Sequence, residues 1–353
     1  MNRADAPGFF IDNQMPSAVL VTGGAGYIGS HLVVELARAG YAPVVLDNFA
    51  NSRQEVLPRL RRLTAQAVPL VAADVRDRTA LERTFAENAI AAVVHCAGLK
   101  AVGEGEAQPL RYYDTNVGGA IALLQAMTAA KVRTLVFSSS ATVYGEHERN
   151  PLTEDAPLKP ASVYGRTKRA VEQMLEDAAA ADSSWRIGLL RYFNPAGAHP
   201  SAEIGEAPSA APNNLVPILA EVALGVRREI EVFGDDYPTP DGTGVRDYIH
   251  VMDLAEGHAA ALAHLSRERG VTTLNLGMGR GCSVLEVIAA FERACGKTLH
   301  RRIVSRRPGD VAMTVADPGQ AARMLGWRAQ RDLDAICIDA WRWASRNGAS
   351  ASP

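Results

Sequence analysis

A glycine-rich segment near the start of the chain constrains the fold more than any other feature. The glycines of Gly23-x-x-Gly26-x-x-Gly29 follow the apolar run Ala18-Val-Leu-Val-Thr22 and precede a helical pattern over 27–39. In that context glycines permit a tight strand-to-helix turn and let a pyrophosphate approach the backbone. The helix N-terminus then supplies N–H donors and a positive partial charge. The segment therefore predicts a dinucleotide-binding βα unit.

Strand-length apolar runs alternate with helical patterns through the first half of the chain. The predicted strands cover 18–22, 43–47, 68–72, 91–97, 134–138 and 186–191, and the predicted helices include 27–39, 77–88 and 110–131. Pro69 marks the third run as an edge strand or as the start of a strand. This alternation predicts an α/β fold, a Rossmann-type doubly wound parallel sheet, with a smaller α/β substrate-binding lobe.

The character of the sequence changes after Asn194, where Pro, Gly and Asn become frequent. Residues 1–16 look like a flexible N-terminal extension. We expect a dinucleotide-binding Rossmann domain over 17–194 plus about 246–276, with a further strand at 272–276. Segments about 195–245 and 277–345 would form a substrate-binding lobe, with helices near 215–225, 283–295 and 318–325.

Asp47 ends the second predicted strand, 18 residues after Gly29. A carboxylate at that place accepts hydrogen bonds from the adenosine ribose and repels a 2′-phosphate, so the sequence predicts NAD rather than NADP. Other candidate cofactor residues follow the ends of the second, third and fourth strands: Asn48, Asn51, Ser52, Asp74, Val75, Ala97, Gly98 and Lys100. Asp74 has a second interpretation as a helix N-cap, and Lys100 has one as a solvated surface charge.

Tyr164 and Lys168 are four residues apart in a predicted helix, so their side chains share one face. Tyrosine has a pKa near 10 and is a poor base at pH 7; half-ionisation there needs a shift of about three units, or about 4 kcal/mol. A nearby ammonium and a positive nicotinamide ring both favour the phenolate. Ser140, at the C-terminal end of the fifth predicted strand, is placed to hydrogen-bond a substrate hydroxyl. Together these residues predict redox chemistry on an alcohol.

The bulk properties exclude several classes of function. A net charge of −2 and a pI near 6.5 lack the basic footprint of a nucleic-acid-binding protein. No apolar run approaches the roughly 18 residues of a membrane span, and 1–16 contain no signal-peptide core. The cysteines show no metal-binding or redox spacing, so we expect reduced thiols in a cytoplasmic protein and no metal. They are Cys96, Cys282, Cys295 and Cys337.

The chain resembles the extended short-chain dehydrogenase/reductases from Val19 to about Trp343, and within them the UDP-sugar 4-epimerases very closely. The segments that carry the resemblance are Val21-Thr-Gly-Gly-Ala-Gly-Tyr-Ile-Gly-Ser-His31, Leu46-Asp-Asn48, Ala97-Gly-Leu-Lys-Ala-Val-Gly-Glu104, Phe137-Ser-Ser-Ser-Ala-Thr-Val-Tyr-Gly145, Leu190-Arg-Tyr-Phe-Asn-Pro195, Gly244-Val-Arg-Asp-Tyr-Ile-His-Val251 and Arg306-Arg-Pro-Gly-Asp310. The resemblance implies a cycle in which Tyr164 removes the proton of the sugar 4-hydroxyl while hydride passes to NAD. The transient 4-ketosugar then rotates about its link to the UDP, and the hydride returns to its opposite face. UDP-glucose and UDP-galactose would be the substrates, and the reaction would belong to galactose metabolism. The Rossmann domain would then be the NAD-binding domain, and 195–245 with 277–345 the UDP-sugar-binding lobe.

The resemblance also implies individual contacts. With NAD it places Tyr27, Ile28, Cys96, Asn116, Ser138 and Phe193, the last at the nicotinamide. With the UDP-sugar it places Lys100, Ser140, Ala141, Thr142, Tyr164, Asn194, Asn214, Leu215, Val232, Phe233, Arg246, Arg307, Asp310 and Thr314. Within that set Phe233 would border the uracil, Arg246 and Arg307 would clamp the diphosphate, and Asp310 would accept from the uridine ribose.

Two departures from the family pattern affect these expectations. Thr115 stands where some members have a second asparagine, and Asn116 is retained for a structural task in that helix. Thr314 stands where glucose-restricted members have a bulky tyrosine. A small side chain leaves room for a 2-acetamido group, so UDP-GlcNAc and UDP-GalNAc are further candidate substrates.

Two other functions stay open at this point. A nucleotide-sugar 4,6-dehydratase needs an Asp-Glu pair after a threonine at the end of the fifth strand, where this chain has Ser140-Ala141-Thr142. A non-catalytic NAD-binding module on the same fold is compatible with the fold alone, although Ser140, Tyr164 and Lys168 together argue against it. The helices after Leu110 and Ser162 carry apolar faces that fit either a dimer interface or the core, and the family resemblance favours a homodimer.

Overall fold

The computed structural model describes residues 17–207, 212–307 and 309–347, and the predicted extension 1–16 lies outside the described residues. Contacts divide the chain into two compact units. The first unit contains the described residues of Met1–Ser139 with Val163–Leu190 and Ala255–Thr273. The second contains those of Ser140–Ser162, Arg191–Leu254 and Leu274–Pro353. That one unit binds NAD and the other UDP-sugar stays a prediction.

The regular elements are numbered in chain order. The strands are β1 Ala18–Thr22, β2 Ala42–Asp47, β3 Leu70–Ala72, β4 Ile90–His95, β5 Thr134–Ser140, β6 Arg186–Tyr192, β7 Asn194–Ala196, β8 Ile230–Phe233, β9 Val245–His250, β10 Gly270–Leu276, β11 Gly281–Ser283, β12 Arg301–Val304 and β13 Met313–Thr314. The α-helices are α1 Tyr27–Arg38, α2 Val56–Thr64, α3 Arg78–Asn88, α4 Val102–Ala107, α5 Pro109–Tyr112, α6 Gly119–Ala129, α7 Val163–Ala181, α8 Leu215–Ala223, α9 Val251–Leu265, α10 Val284–Cys295, α11 Gly319–Leu325 and α12 Leu333–Asn347.

Seven strands form a sheet in the order β10-β6-β5-β4-β1-β2-β3. β1 pairs in parallel with β2 on one side and with β4 on the other, so the strand order reverses at β1. In doubly wound sheets, ligands bind outside the carboxyl ends of the strands at such a reversal. β3 is an edge strand of this sheet and begins directly after Pro69, as the proline predicted. The predicted Rossmann-type fold with a mostly parallel sheet is confirmed.

The core of the first unit joins this sheet to its helices. Its buried side chains include Leu20, Val93, Leu135 and Ile187 on strands, and Phe85, Leu123, Met127, Val171 and Leu175 on α3, α6 and α7. The strands are short and almost wholly apolar, as expected for a sheet covered on both faces. Burial of these side chains holds α7, and with it Tyr164 and Lys168, against the sheet.

The second unit contains two small sheets. β9 pairs with β7, β11 and β13, and β8 pairs in parallel with β12. Helices α8, α10 and α12 supply the core beside them, with buried side chains that include Leu219, Ile288, Phe291 and Ile336. The elements β7, β8, β9, β11, β12, β13, α2, α4, α9 and α12 were not predicted, because most are short or lack a clear apolar period.

The predicted helix over 110–131 is interrupted. A π-helical segment, Tyr113–Gly118, separates α5 from α6 without a break in the chain direction. Such segments occur often at functional sites, and this one carries Asn116. Within the residues that the structure describes, no helix combines the length and the apolar character needed to cross a membrane.

Candidate functional site

The glycine loop connects β1 to α1 in the first unit. Gly23 has a φ of +70°, which favours glycine, and its N–H donates to the Leu46 carbonyl at 2.8 Å. A Cβ on Gly29 would lie 2.1 Å from the Gly23 carbonyl oxygen, so that position accepts no side chain. Gly26 is the N-cap of α1 and makes no side-chain capping bond there. The loop therefore presents backbone at the start of a helix, as a pyrophosphate requires.

Asp47, at the end of β2, is tied to the glycine loop. Its Oδ2 accepts from the Ala25 N–H at 2.9 Å, and its Oδ1 accepts from Ser52 Oγ at 2.8 Å and from the Phe49 N–H at 2.9 Å. These donors fix the orientation of a carboxylate that is 7% exposed. A carboxylate offers about four lone pairs, so capacity remains for a ribose hydroxyl. Asn51 is exposed and lies in the turn after β2, between Phe49 and Ser52 in the chain.

Asn48 and Asp74 form part of a surface network with Arg76. Asn48 Nδ2 donates to Asp74 Oδ2 at 2.8 Å, and Arg76 Nε donates to Asp74 Oδ1 at 2.8 Å. Hydrogen bonding to Arg76 holds the pKa of Asp74 well below its usual range. The interpretation of Asp74 as a helix N-cap was wrong: Asp77 caps α3 by accepting from the Ala80 N–H at 3.0 Å. Val75 is buried in the core.

The loop after β4 is held by Asn116. Its Oδ1 accepts from the Leu99 N–H at 2.8 Å, and its Nδ2 donates to the Leu99 carbonyl and to Thr167 Oγ1, both at 3.0 Å. A Cβ on Gly98 would lie 3.0 Å from that Oδ1, so the loop and the amide are in close approach. Asn116 thus fixes the 97–100 loop against α7, whereas Lys100 at its end is exposed.

Lys168 is buried beneath Tyr164, one turn further along α7. Its Nζ donates to the Ser138 carbonyl at 2.7 Å and lies 5.8 Å from the centre of the Tyr164 ring. The Tyr164 side chain is half-buried. Burial lowers the pKa of Lys168 to about 8, so its ammonium is still charged at pH 7. The predicted tyrosine–lysine pair is therefore brought together beside the end of β5.

Residues at and just after the ends of β1 and β4 complete the surroundings of Lys168. His95 Nδ1 lies 2.7 Å from Thr22 Oγ1, and burial, followed by the charge of Lys168, lowers the pKa of His95 to about 3. Cys96 Sγ lies 2.9 Å from Ser138 Oγ, and burial raises the pKa of the Cys96 thiol to about 11. Both are therefore neutral at pH 7. The contact between Thr22 and His95, which joins residues 73 positions apart on two strands, was not predicted from the sequence.

Ser140 is the last residue of β5 and belongs to the second unit. Its Oγ accepts from the Thr142 N–H at 3.2 Å and from Thr142 Oγ1 at 3.0 Å, capping the short 3-10 helix Ala141–Val143. Ser140 itself is 8% exposed. Because a hydroxyl donor remains on Ser140, the serine keeps the hydrogen-bonding capacity that its predicted task needs.

Phe193 and Asn194 are supported by a buried network in the second unit. The rings of Phe193 and Tyr144 are tilted, with centroids 6.5 Å apart. Tyr144 Oη donates to Asn275 Oδ1 at 2.7 Å, and Arg191 Nη1 lies 3.1 Å from the same Oη. Burial raises the pKa of Tyr144 to about 12, so it stays a neutral donor. Asn194 follows as the first residue of β7, paired with Tyr248.

Three of the predicted UDP contacts meet at the end of β8. The Arg307 guanidinium lies 4.4 Å from the centre of the Phe233 ring, and Arg307 Nε donates to Asp310 Oδ2 at 3.0 Å. Stacking of a guanidinium on a phenyl ring fixes its plane while leaving other N–H groups for a phosphate. Val232 precedes Phe233 and is buried.

Arg246 and Thr314 are direct partners in the sheet around β9. Thr314 of β13 pairs in parallel with Arg246, whose other neighbour is Cys282 of β11. The adjacent Asp247 holds this arrangement, because its carboxylate accepts from the N–H groups of Met278, Gly279 and Ala316 at 2.8, 2.9 and 3.2 Å. Burial raises the pKa of Asp247 to about 6.

Asn214 and Leu215 lie at the start of α8. Asn214 is the N-cap residue but makes no side-chain capping bond; its Nδ2 donates to Glu206 Oε1 at 2.9 Å. Leu215 is half-buried as the first residue of the helix. Both therefore present polar backbone at a helix N-terminus, which suits an anion, but their predicted contacts with UDP stay a prediction.

The residues of the first unit fit a dinucleotide. A strand-to-helix turn that admits no side chain at Gly29, a helix start without a side-chain cap, and an oriented carboxylate at Asp47 supply a pyrophosphate cradle and a ribose acceptor. Residues 19–277 match the family described as the NAD dependent epimerase/dehydratase family. The chain belongs to this family.

Individual relatives agree with the family match. The chain is 54% identical over 330 residues to the UDP-glucose 4-epimerase of Bacillus subtilis, covering 94% of this chain and 97% of that one. A crystal structure of UDP-glucose-4-epimerase from Stenotrophomonas maltophila, with bound NAD and formylated UDP-arabinopyranose, is similar with a TM-score of 0.93 and 52% identity. That match covers 96% of this chain and 100% of that one.

A third relative is the UDP-glucose 4-epimerase from Bifidobacterium longum in complex with NAD⁺ and UDP. It matches with a TM-score of 0.91 and 48% identity, over 94% of this chain and 99% of that one. The resemblance to the extended short-chain dehydrogenase/reductases is thereby confirmed, and so is NAD as the predicted cofactor. The contacts of individual residues with NAD and UDP-sugar stay predictions.

Proposed function

We propose that this protein catalyses the NAD-dependent 4-epimerisation of UDP-sugars, interconverting UDP-glucose and UDP-galactose. The observation that carries the proposal is the Tyr164–Lys168 pair, fixed at the end of β5 in the unit that also holds the glycine loop. The relatives of known name support the choice of reaction, since they share half of their residues with this chain over nearly its whole length.

In this proposal Tyr164 moves the proton of the sugar 4-hydroxyl. A phenol with a pKa near 10 needs about 4 kcal/mol of stabilisation of its anion to be half-ionised at pH 7. The buried Lys168 ammonium supplies part of it, because a charge of opposite sign at short range in a low-dielectric site favours the phenolate. The glycine loop and Asp47 would hold NAD, which would supply the capacity to accept a hydride from sugar carbon 4 and to give it back. Tyr164 then returns the proton, so the sugar regains its hydroxyl.

Other residues hold the reactants. We assign the glycine loop and Asp47 to the pyrophosphate and ribose of NAD, and Ser140 to the substrate hydroxyl. Arg246, Arg307 and Asp310 are assigned to the UDP. Since the UDP does not react, its binding energy serves to anchor the substrate while the sugar reorients. Thr142, Asn194 and Phe233 would line the same substrate.

The direct test is turnover of UDP-galactose by the purified protein with no added NAD. UDP-glucose as the product would support both the reaction and a cofactor that stays bound through each cycle. Absence of product even with NAD supplied would contradict the assignment to these sugars. The same assay, extended to UDP-GlcNAc, then decides whether the protein acts on other UDP-sugars or is a non-catalytic binding module.

A second, broader specificity is favoured by Thr314. This short side chain is half-buried and is the sheet partner of Arg246, a predicted diphosphate contact. We expect activity on UDP-GlcNAc as well as on UDP-glucose. A Thr314→Tyr variant should lose at least about tenfold in kcat/KM for UDP-GlcNAc while keeping most of its activity on UDP-galactose, because the larger ring removes room for a 2-acetamido group.

Initial rates with UDP-GlcNAc and UDP-galactose measure the change in kcat/KM. Thr314→Ser is the matched control, because its side chain stays small. Equal losses on the two substrates in Thr314→Tyr would contradict a specificity role. A wild-type kcat/KM for UDP-GlcNAc more than about a thousandfold below that for UDP-galactose would contradict the broader specificity itself.

We also propose that the protein is a cytoplasmic homodimer. Support for the dimer comes from exposed apolar side chains on α4 to α6, which include Val102, Leu110 and Ile121 at 47%, 83% and 42% exposure. Support for the compartment comes from Cys96, Cys282, Cys295 and Cys337, which are all free thiols. Light scattering measures the mass of the purified protein, and a monomer mass at micromolar concentration would contradict the dimer. Cell fractionation tests the cytoplasmic location.

A further inference from the structure

Three ionisable side chains follow one another at four-residue spacing along α7. Tyr164, Lys168 and Glu172 therefore share a face of the helix, and the side chains of Lys168 and Glu172 contact β5. Glu172 is fully buried, at 0% exposure, although a carboxylate is rarely buried unless it has partners. The reaction described above gives Glu172 no task.

The contacts of Lys168 and Glu172 are consecutive along β5. Lys168 Nζ donates to the carbonyl of Ser138 at 2.7 Å, and Glu172 Oε1 accepts from the hydroxyl of Ser139 at 2.6 Å. The short Ser139 bond fixes the carboxylate against the strand. The second carboxylate oxygen, Oε2, lies 3.5 Å from Arg169 Nη1. The ammonium and the carboxylate are thus held on adjacent residues of one strand.

The charges around Lys168 single out Glu172. Burial lowers the pKa of Lys168 to about 8, and Cys96 and Glu172 oppose that effect. The Cys96 thiol has its own pKa raised to about 11 by burial, so it carries no charge while Lys168 titrates. His95 on β4 is neutral, because burial lowers its pKa to about 3. Among these groups Glu172 is therefore the source of the negative charge that favours the ammonium form.

We propose that the Glu172 carboxylate keeps Lys168 charged beside Tyr164, and is thus a positioning residue that acts on the reaction through Lys168. The inference rests on the proposed function, because the Lys168 charge matters only where Tyr164 moves a proton. Glu172 acts through Lys168, and its effect is on the pH range in which the enzyme works.

The test uses Glu172→Gln in the full-length holoenzyme. Glutamine keeps the size of the side chain and an oxygen that can accept from Ser139, but it removes the charge. The matched control is Glu176→Gln, which removes a carboxylate that contacts the same Arg169 at 3.1 Å, one turn further along α7 and at 35% side-chain exposure. Glu172→Asp, which keeps the charge on a shorter side chain, tests for rescue.

The first readout is the pKa of Lys168 itself, followed by NMR of protein labelled at lysine carbon ε. The chain has only five lysines, Lys100, Lys131, Lys159, Lys168 and Lys297, so the spectrum is simple and the signal lost in Lys168→Arg identifies the residue. In Glu172→Gln we expect the pKa of Lys168 to fall by about one unit, and in Glu176→Gln to change by less than about 0.3 units.

The second readout is the pH profile of kcat. In Glu172→Gln the loss of activity at high pH should begin about one unit lower, so that at pH 8 kcat falls about fivefold as the charged fraction drops from about one half to about one tenth. The KM for UDP-galactose should be unchanged, and Glu172→Asp should restore most of the profile. An unshifted Lys168 titration in Glu172→Gln, or an equal shift in Glu176→Gln, overturns the inference.

The two readouts separate this inference from the proposed function. If the wild type turns over no UDP-sugar, the proposed function fails, and the NMR titration still reports whether Glu172 sets the charge of Lys168. If the wild type is active and the titration is unshifted, the role of Glu172 fails while the reaction stands. A Glu172→Gln variant with a lower melting temperature but wild-type titration and pH profile shows a purely structural residue.

Discussion

A Tyr164→Phe variant will turn over UDP-galactose about a thousandfold more slowly than the wild type, with NAD still bound. The change removes the group that we propose to move the proton and keeps the ring, whose centroid lies 5.8 Å from Lys168 Nζ. Packing around α7 should therefore survive. Formation of UDP-glucose in a coupled assay measures kcat, and NAD released by denaturation measures retained cofactor.

The control is Tyr41→Phe. Tyr41 is 4% exposed, and its hydroxyl has no hydrogen-bond partner among the residues that the structure describes. Loss of that hydroxyl should leave kcat within about twofold of the wild type, because no native hydrogen bond is broken. A Tyr164→Phe enzyme within tenfold of the wild type would show that another group moves the proton. Loss of NAD from the same variant would assign Tyr164 to cofactor binding instead.

The structure around the glycine loop could be predicted because its pattern is local. The glycine loop, its strand and its helix occupy 18–38, and each glycine answers a steric need of that one turn. Asp47 could be placed because β2 is short and apolar up to that residue. Tyr164 and Lys168 could be paired because four-residue spacing decides which side chains share a helix face.

Glu172 was missed although its signal was present. It stands four residues after Lys168, by the same rule that joined Lys168 to Tyr164. In a helix that carries many surface charges, however, spacing alone does not tell a buried carboxylate from a solvated one. The Ser139 hydroxyl that makes its burial possible comes from β5, 33 residues earlier in the chain.

Asp247 shows what sequence reasoning leaves out. It lies beside Arg246 in the segment Gly244–Val251, yet a role was predicted only for the arginine. The donors that hold the Asp247 carboxylate are backbone N–H groups of residues 31, 32 and 69 positions later. Any residue except proline carries such a group, so these partners have no sequence signature.

The π-helical segment that carries Asn116 was missed for a related reason. The apolar pattern over 110–131 reads as one helix, and the extra residue in the turn at 113–118 leaves the pattern nearly intact. Asn116 is placed by its bonds to Leu99 and Thr167, which lie 17 residues before it and 51 after it. Long-range partners of this kind become visible only in the folded chain.

Substitution in the glycine loop should abolish retention of the cofactor: a Gly29→Ala variant will be purified without NAD. The new Cβ would lie 2.1 Å from the Gly23 carbonyl oxygen and 2.7 Å from Gly24 Cα, and both neighbours are backbone atoms that cannot swing aside. Moving the loop costs about 3 kcal/mol. If that cost appears in binding, NAD affinity falls by at least about a hundredfold.

Two further variants make this result specific. Gly103→Ala, in α4, places its Cβ where no heavy atom lies within 4 Å, so it should retain NAD and activity as the wild type does. In Gly26→Ala the backbone φ of −73° suits alanine, and the new Cβ would lie 3.2 Å from the Gly23 oxygen, so the loss of NAD affinity should be about tenfold.

Bound NAD is measured by absorbance after denaturation, and circular dichroism shows whether the chain is folded. A folded Gly29→Ala protein that keeps stoichiometric NAD would show that this loop does not hold the pyrophosphate, since a displaced turn cannot present the same N–H donors at the start of α1.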